Sequence, residues 1–206
     1  VWFRKTKSLF NGAGADVASG QNFPARPIRI ITTAVGGGSD ITSRLIAQGM
    51  SESVGQQVIV DNRDNAGPDL LVRSQPDGHT MLVDGNGLWQ ASLVSKISYD
   101  PVRDFAPITI AVRAPIVVLV HPSVPAKSAQ ELIAFAKAKP GVLNYGSGGI
   151  GGTAHLPVEL FKSMAGVNIV NINYKGTGQA LTALIANEIQ VMFANTTIAT
   201  TPIKAG

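Results

Sequence analysis

The run Ile28-Arg29-Ile30-Ile31-Thr32-Thr33 leads through Ala34 and Val35 into Gly36-Gly37-Gly38-Ser39-Asp40, and Ile41, Leu45, Ile46 and Met50 then recur at helical spacings. A strand-length β-branched run, a glycine turn and an amphipathic helix make one β-loop-α unit. The unit repeats along the chain. Further strands are expected at 57–61, 79–84, 108–112, 116–121, 143–145, 168–172 and 189–193. Helices are expected through Leu132, Phe135 and Ala136, through Leu156, Leu160 and Phe161, and through Leu181, Leu184 and Ile185. Ser128 with Glu131 three residues on marks a helix start, and Pro140-Gly141 a stop. Strands alternating with helices predict an α/β fold whose sheets are mainly parallel and covered by helices. The break between Pro107 and Pro115 divides it into two lobes, 24–108 and 109–206, the second including the hinge.

Composition narrows the function. The chain has 206 residues, 45% of them hydrophobic and 15% charged, enough to bury sizeable cores. Its net charge of +4 comes from scattered lysines and arginines, without the basic stripe of a nucleic-acid surface. No cysteine is present, so thiolate ligands, cysteine nucleophiles and disulfides are excluded. No stretch approaches the roughly 18 apolar residues of a membrane helix; the longest apolar run, Ile116 to Val120, is strand-sized. Residues 1–23 mix Trp2, Phe3 and Phe10 with Arg4, Lys5 and Lys7 before turning small and glycine-rich, and read as a leader remnant or a disordered tail.

Three loops share one chemistry. Gly36-Gly37-Gly38-Ser39, Gly146 to Thr153 and Lys175-Gly176-Thr177-Gly178 each follow a strand and open a helix. The first N–H groups of a helix lack intrahelical partners, and the aligned peptide dipoles add partial positive charge, so such loops attract carboxylate or phosphate. Each taken alone also reads as a tight turn. His155 stands in the first turn after the second loop, within reach of a bound anion, whereas His79 and His121 read as strand-end residues. Asp40 reads either as favouring its own helix start or as a hydrogen-bond acceptor for a ligand.

Gly146-Ser147-Gly148-Gly149-Ile150-Gly151 also satisfies the dinucleotide pattern G-x-G-x-x-G, but the next strand ends Asn171-Ile172-Asn173-Tyr174 without the acid that would hold a ribose. A nucleotide-binding oxidoreductase is therefore the alternative and not the expectation. No phosphate-binding G-K-[ST], no nucleophile elbow and no metal-ligand spacing occurs, so neither enzyme, cofactor nor metal is expected.

A wider set of motifs carries a specific resemblance. Pro24-Ala25-Arg26-Pro27-Ile28-Arg29, the triple glycine with Ser39-Asp40, Val60-Asp61-Asn62-Arg63, Pro76-Asp77-Gly78 and Tyr99-Asp100-Pro101-Val102-Arg103-Asp104-Phe105 belong to it. So do His121-Pro122-Ser123, Lys139-Pro140-Gly141, Leu143-Asn144-Tyr145-Gly146-Ser147, His155-Leu156 and Tyr174-Lys175-Gly176. After Phe23 the chain resembles the Bug family, the solute receptors of tripartite tricarboxylate transporters. The resemblance implies a two-lobed, periplasmic-binding-protein-like (type II) fold that closes on a small carboxylate. It also implies a periplasmic location, a membrane transporter as partner, and a monomer when complete; a solute-sensing partner of a two-component system is the neighbouring reading. Ligand contacts are implied at Gly37, Gly38, Ser39 and Asp40 in the first lobe, with Asn86. In the second they are implied at Ser147, Gly148, Thr153, His155, Lys175, Gly176 and Asn195.

The chain also departs from the family pattern. Thr32-Thr33 replaces a proline-phenylalanine pair, the loop Asp64-Asn65-Ala66-Gly67-Pro68-Asp69 replaces a glycine-rich helix start, and Ala194 replaces an acid before Asn195. Gly206 falls where the family's chain returns to the first lobe, so that lobe is expected to be incomplete, with exposed apolar surface and poor solubility or pairing.

Overall fold

The computed structural model describes residues 1–4, 23–149 and 154–205. In chain order the first part contains β1 (Trp2–Arg4), β2 (Ile28–Thr32), α1 (Gly38–Val54), β3 (Val58–Asn62), a 3-10 turn (Asp64–Ala66), α2 (Gly67–Arg73), β4 (Thr80–Val83), α3 (Gly87–Val94) and β5 (Phe105–Pro107). The second contains β6 (Ile116–Val120), α4 (Ala129–Ala138), β7 (Asn144–Ser147), α5 (His155–Ala165), β8 (Val170–Asn173), α6 (Thr177–Ile185), β9 (Val191–Asn195) and α7 (Thr196–Ala205).

Two sheets result. The first runs β3-β2-β4-β1-β5, with β2 parallel to β3 and β4 and with β1 antiparallel to its neighbours; the second runs β6-β9-β7-β8, with only β6 antiparallel. Alternate side chains of β2 enter opposite cores, as a period of two requires. Ile28 and Ile30 pack with Ala47, Val58 and Met81 beneath α1, while Ile31 packs with Leu71, Leu82 and Leu88 on the other face. Ile30 and Ile31 are fully buried, each contributing about 2 kcal/mol of apolar burial. The second sheet is likewise covered on both faces, by α4 and α5 around Tyr145 and Phe193, and by α6 and α7 around Met192 and Ala194. Ile41 of α1 packs against this last cluster, so the two sheets touch through the helix that follows the triple glycine.

Helix α4 begins as its sequence predicts: Glu131 N–H donates to Ser128 Oγ (3.2 Å), and the Glu131 carboxylate accepts from Lys127 N–H (2.7 Å). Elsewhere the structure differs from expectation. Trp2–Arg4, placed by sequence in a leader or tail, forms a strand between β4 and β5, and Trp2 meets Trp89 edge to face at 5.2 Å. Residues 5–22 of that stretch lie outside the described residues. The strand expected at 108–112 is absent; Ile108 N–H still donates to the Val1 carbonyl (2.9 Å), but Ile110 and Val112 have no partner strand among the described residues, and all three side chains are exposed. The altered 64–69 loop still opens a helix, because Pro68 sits in the first turn of α2, where its missing N–H costs nothing.

Candidate functional site

The triple glycine is shaped from behind. Gly36 adopts φ 78°, a conformation open chiefly to glycine, and its N–H donates to Asp40 Oδ2 (2.9 Å). Asp40 Oδ1 accepts from Asn62 Nδ2 (2.9 Å) and pairs with Arg44 (3.0 Å). Burial alone raises the Asp40 pKa, but the hydrogen bonds from Asn62, Gly36 and Arg44 outweigh it and hold the carboxyl below its ordinary value. With these partners taken, Asp40 braces the loop from beneath. The N-cap position, Gly37, has no side chain to cap with, so the first N–H groups of α1 stay open.

The second lobe presents a matching start. Gly176 is the N-cap of α6, again with no side-chain cap. Asn195 begins α7 differently: its Oδ1 accepts the Ile198 N–H (3.3 Å), while its Nδ2 lies against Gly38 of the other lobe. The lobes meet closely here. A Cβ on Gly176 would come within 2.5 Å of the Ala34 Cβ, and one on Gly178 within 3.1 Å of the Val35 carbonyl oxygen.

Between the sheets lies a cleft of about 1010 Å³. Of the residues expected to bind ligand, it brings together Gly38, Ser39, Asn86, Gly148, Gly176 and Asn195. Lys175 stands beside Gly176 in an adjoining hollow of about 270 Å³, facing Asn62 and Asp64. Gly37 lies behind the rim, with its carbonyl accepting from Ile41 N–H (3.1 Å). Ser147 is buried below it, its hydroxyl shared between the side-chain oxygens of Asn171 (3.0 Å) and Asn173 (2.8 Å). His155 opens α5 with its ring 6.5 Å from that of Tyr145, and it does not line the cleft. Thr153 lies outside the described residues.

The dinucleotide pattern has a packing explanation at its first glycine. A Cβ on Gly146 would overlap the Ile189 side chain and sit 3.0 Å from the Ala180 Cβ, so this glycine lets α6 approach the sheet.

Residues 42–206 match the model of the family described as "Tripartite tricarboxylate transporter family receptor". The chain belongs to that receptor family. It is 40% identical over 201 residues to a UPF0065 protein of Bordetella pertussis, a match covering 93% of the chain and 61% of that relative. Among solved structures it is similar to R. palustris Rpa4515 with adipate, at TM-score 0.85 and 32% identity, over 89% of this chain and 64% of that one. It is also similar to the periplasmic binding protein BugD, at TM-score 0.84 and 29% identity, over 89% and 63% of the two chains. The chain thus spans about three fifths of the length of the relatives it matches. The periplasmic-binding-protein-like α/β fold expected from the resemblance is the fold these receptors share.

The cleft also contains residues outside the expected contact set, some from loops that the sequence reading singles out. Asp64, Asn65 and Asp69 reach it from the start of α2, Asp84 from the end of β4, and Thr177 from α6. For Asp84 a signal was present: it ends a parallel strand, on the sheet edge where α/β proteins hold ligands.

Proposed function

We propose that this chain forms the clamp of an extracytoplasmic solute receptor that captures a small carboxylate between its lobes for a tripartite transporter. One observation carries the reading: the uncapped starts of α1 and α6 open onto a single cleft from opposite lobes. A carboxylate has two oxygens and accepts from both N–H clusters at once, so binding joins the lobes. In this reading lobe 1 runs from 24 to 108 with Trp2–Arg4 added to its sheet, and lobe 2 from 109 to 206, with 109–115 as the hinge. Gly38, Ser39, Gly148, Gly176 and Asn195 contact the ligand, Asn86 closes the far wall, and Gly37 and Asp40 set the loop. Ser147 supports the second loop, His155 follows that loop at the start of α5, and Lys175 stands beside Gly176 at the edge of the cleft. The receptor works in the periplasm, as a monomer that docks on membrane components, and performs no chemistry on its ligand.

The test is a thermal-shift screen against amino acids, di- and tricarboxylates and aromatic acids, with NAD and NADP included, because a ligand of the folded state raises the Tm by mass action. A shift with one carboxylate class and none with nucleotides is expected. A shift with nucleotides alone overturns the reading. Gly176→Ala then probes closure: a methyl overlapping the Ala34 Cβ forces the lobes apart, and is expected to weaken the selected carboxylate about tenfold and to lower the free protein's Tm as well.

A further inference from the structure

The corner between β4 and α3 carries a charge that the glycine-loop chemistry does not use. Thr32 pairs in register with Val83, and Thr32 Oγ1 donates to the Val83 carbonyl (3.0 Å). Asp84 therefore leaves the sheet one strand away from Thr33, roughly 5 Å across, at the point where the chain turns into the glycine loop. Thr33, Ser39 and Asp84 line the same cleft.

Asp84 is half-buried, and its Oδ1 accepts the N–H of its own neighbour Gly85 (2.7 Å). Among the described residues no arginine or lysine side chain pairs with it. Lys96 and Arg113 border the cleft without forming an ion pair to Asp84. Burial pushes its carboxyl up to about 6, against the Gly85 hydrogen bond. A carboxylate drawn partly out of water with a single backbone hydrogen bond and no cation beside it is under-satisfied, and in a binding cleft a ligand donor can complete it.

We propose that Asp84 is the specificity-determining residue of the cleft: it accepts from a hydroxyl or ammonium group on a ligand whose carboxylate rests on the starts of α1 and α6, and it turns away ligands that present a second carboxylate there. The proposal rests on the carboxylate-receptor reading above and names the substrate class as hydroxy or amino acids. A second carboxylate at Asp84 would set two like charges together in a site partly closed to water, which raises the energy of the complex and not only its ionic-strength dependence.

The test is calorimetric titration of the full chain with two carbon-matched series: succinate, 4-hydroxybutyrate and 4-aminobutyrate, then adipate, 6-hydroxyhexanoate and 6-aminohexanoate. Wild type is expected to bind a hydroxy or amino member about tenfold or more tighter than the matched dicarboxylate, the scale of one charged hydrogen bond. Asp84→Asn keeps the shape and the Gly85 hydrogen bond; it is expected to abolish that ratio while melting no lower than wild type. Dicarboxylates binding wild type as tightly as the matched acids, or an unchanged ratio in Asp84→Asn, would overturn the role of Asp84 and leave the carboxylate receptor standing. Absence of binding by every carboxylate to both proteins would remove the receptor reading and this inference together.

Discussion

Asp40 and Asp84 occupy neighbouring corners of one sheet, yet the fold treats them oppositely. Asp40, after β2, receives the Gly36 N–H, the Asn62 amide and Arg44, and its carboxyl is held below the ordinary range. Asp84, after β4, receives one N–H from its neighbour, and burial pushes it up to about 6. The contrast teaches that position on the carboxyl edge of a parallel sheet does not make a residue a ligand contact. What decides is whether the protein has already satisfied it: Asp40 is spent on structure, and Asp84 is left for something else.

The largest effect is expected at the satisfied corner. Asp40→Ala strips partners from the Gly36 N–H, Asn62 and Arg44, and is expected to lower stability by about 3 kcal/mol in urea unfolding at pH 7. A loss below about 1 kcal/mol would place the loop's shape in its glycines and dissolve the contrast. At the unsatisfied corner the sign reverses. The Asp84 carboxyl titrates near 6 when folded against 3.8 in the ordinary state, so stability present below about pH 4 is lost as pH rises through 6. Asp84→Asn avoids that loss: it is expected to match wild type at pH 4 and to exceed it by about 2 kcal/mol at pH 7. The hydrogen bond that bears on this titration is from the Gly85 N–H; of the other charged groups, Asp64, Asp69, Lys96 and Arg113 line the same cleft. A pH-independent difference between the two proteins would show that Asp84 is solvated.

Much of this was legible in the sequence, for reasons the contrast makes plain. The β2-loop-α1 unit was readable because strand propensity, glycine and helical periodicity agree over a short span, and the Ser128 cap because its chemistry is local. Gly38, Gly176 and Asn195 were placed at the cleft by the same local logic together with the family resemblance. Asp40 was ambiguous because its satisfaction depends on Asn62, twenty-two positions along the chain, which only the pairing of β2 with β3 brings near. Asp84 was passed over because an acid at a strand end reads as a solvated turn, and its burial arises from α3 and β1, neither of which the sequence pattern announced. The strand expected at 108–112 failed for a related reason: Ile108, Ile110 and Val112 alternate well, but among the described residues no strand lies beside Ile110 and Val112.

A smaller effect sharpens the comparison further, because Asn62 separates satisfaction of Asp40 from its mere presence. Asn62 donates to Asp40 Oδ1 (2.9 Å) and to the Thr33 carbonyl (2.7 Å), so one amide ties the end of β3 to both the loop and its bracing acid. Asn62→Ala leaves Asp40 with the Gly36 N–H and Arg44, and is expected to cost about 1.5 kcal/mol at pH 7. Asp40 stabilises the fold above its ordinary pKa, and that stability disappears as pH falls through its lowered folded value. Removing a donor raises the folded value, so acid unfolding of Asn62→Ala is expected to begin at higher pH than in wild type. In the double variant with Asp40→Ala the two losses are expected to fall short of additivity by about 1 kcal/mol, the signature of one shared hydrogen bond. Strict additivity would mean that Asn62 acts through Thr33 alone, and Asp40 would then owe its lowered pKa to Gly36 and Arg44.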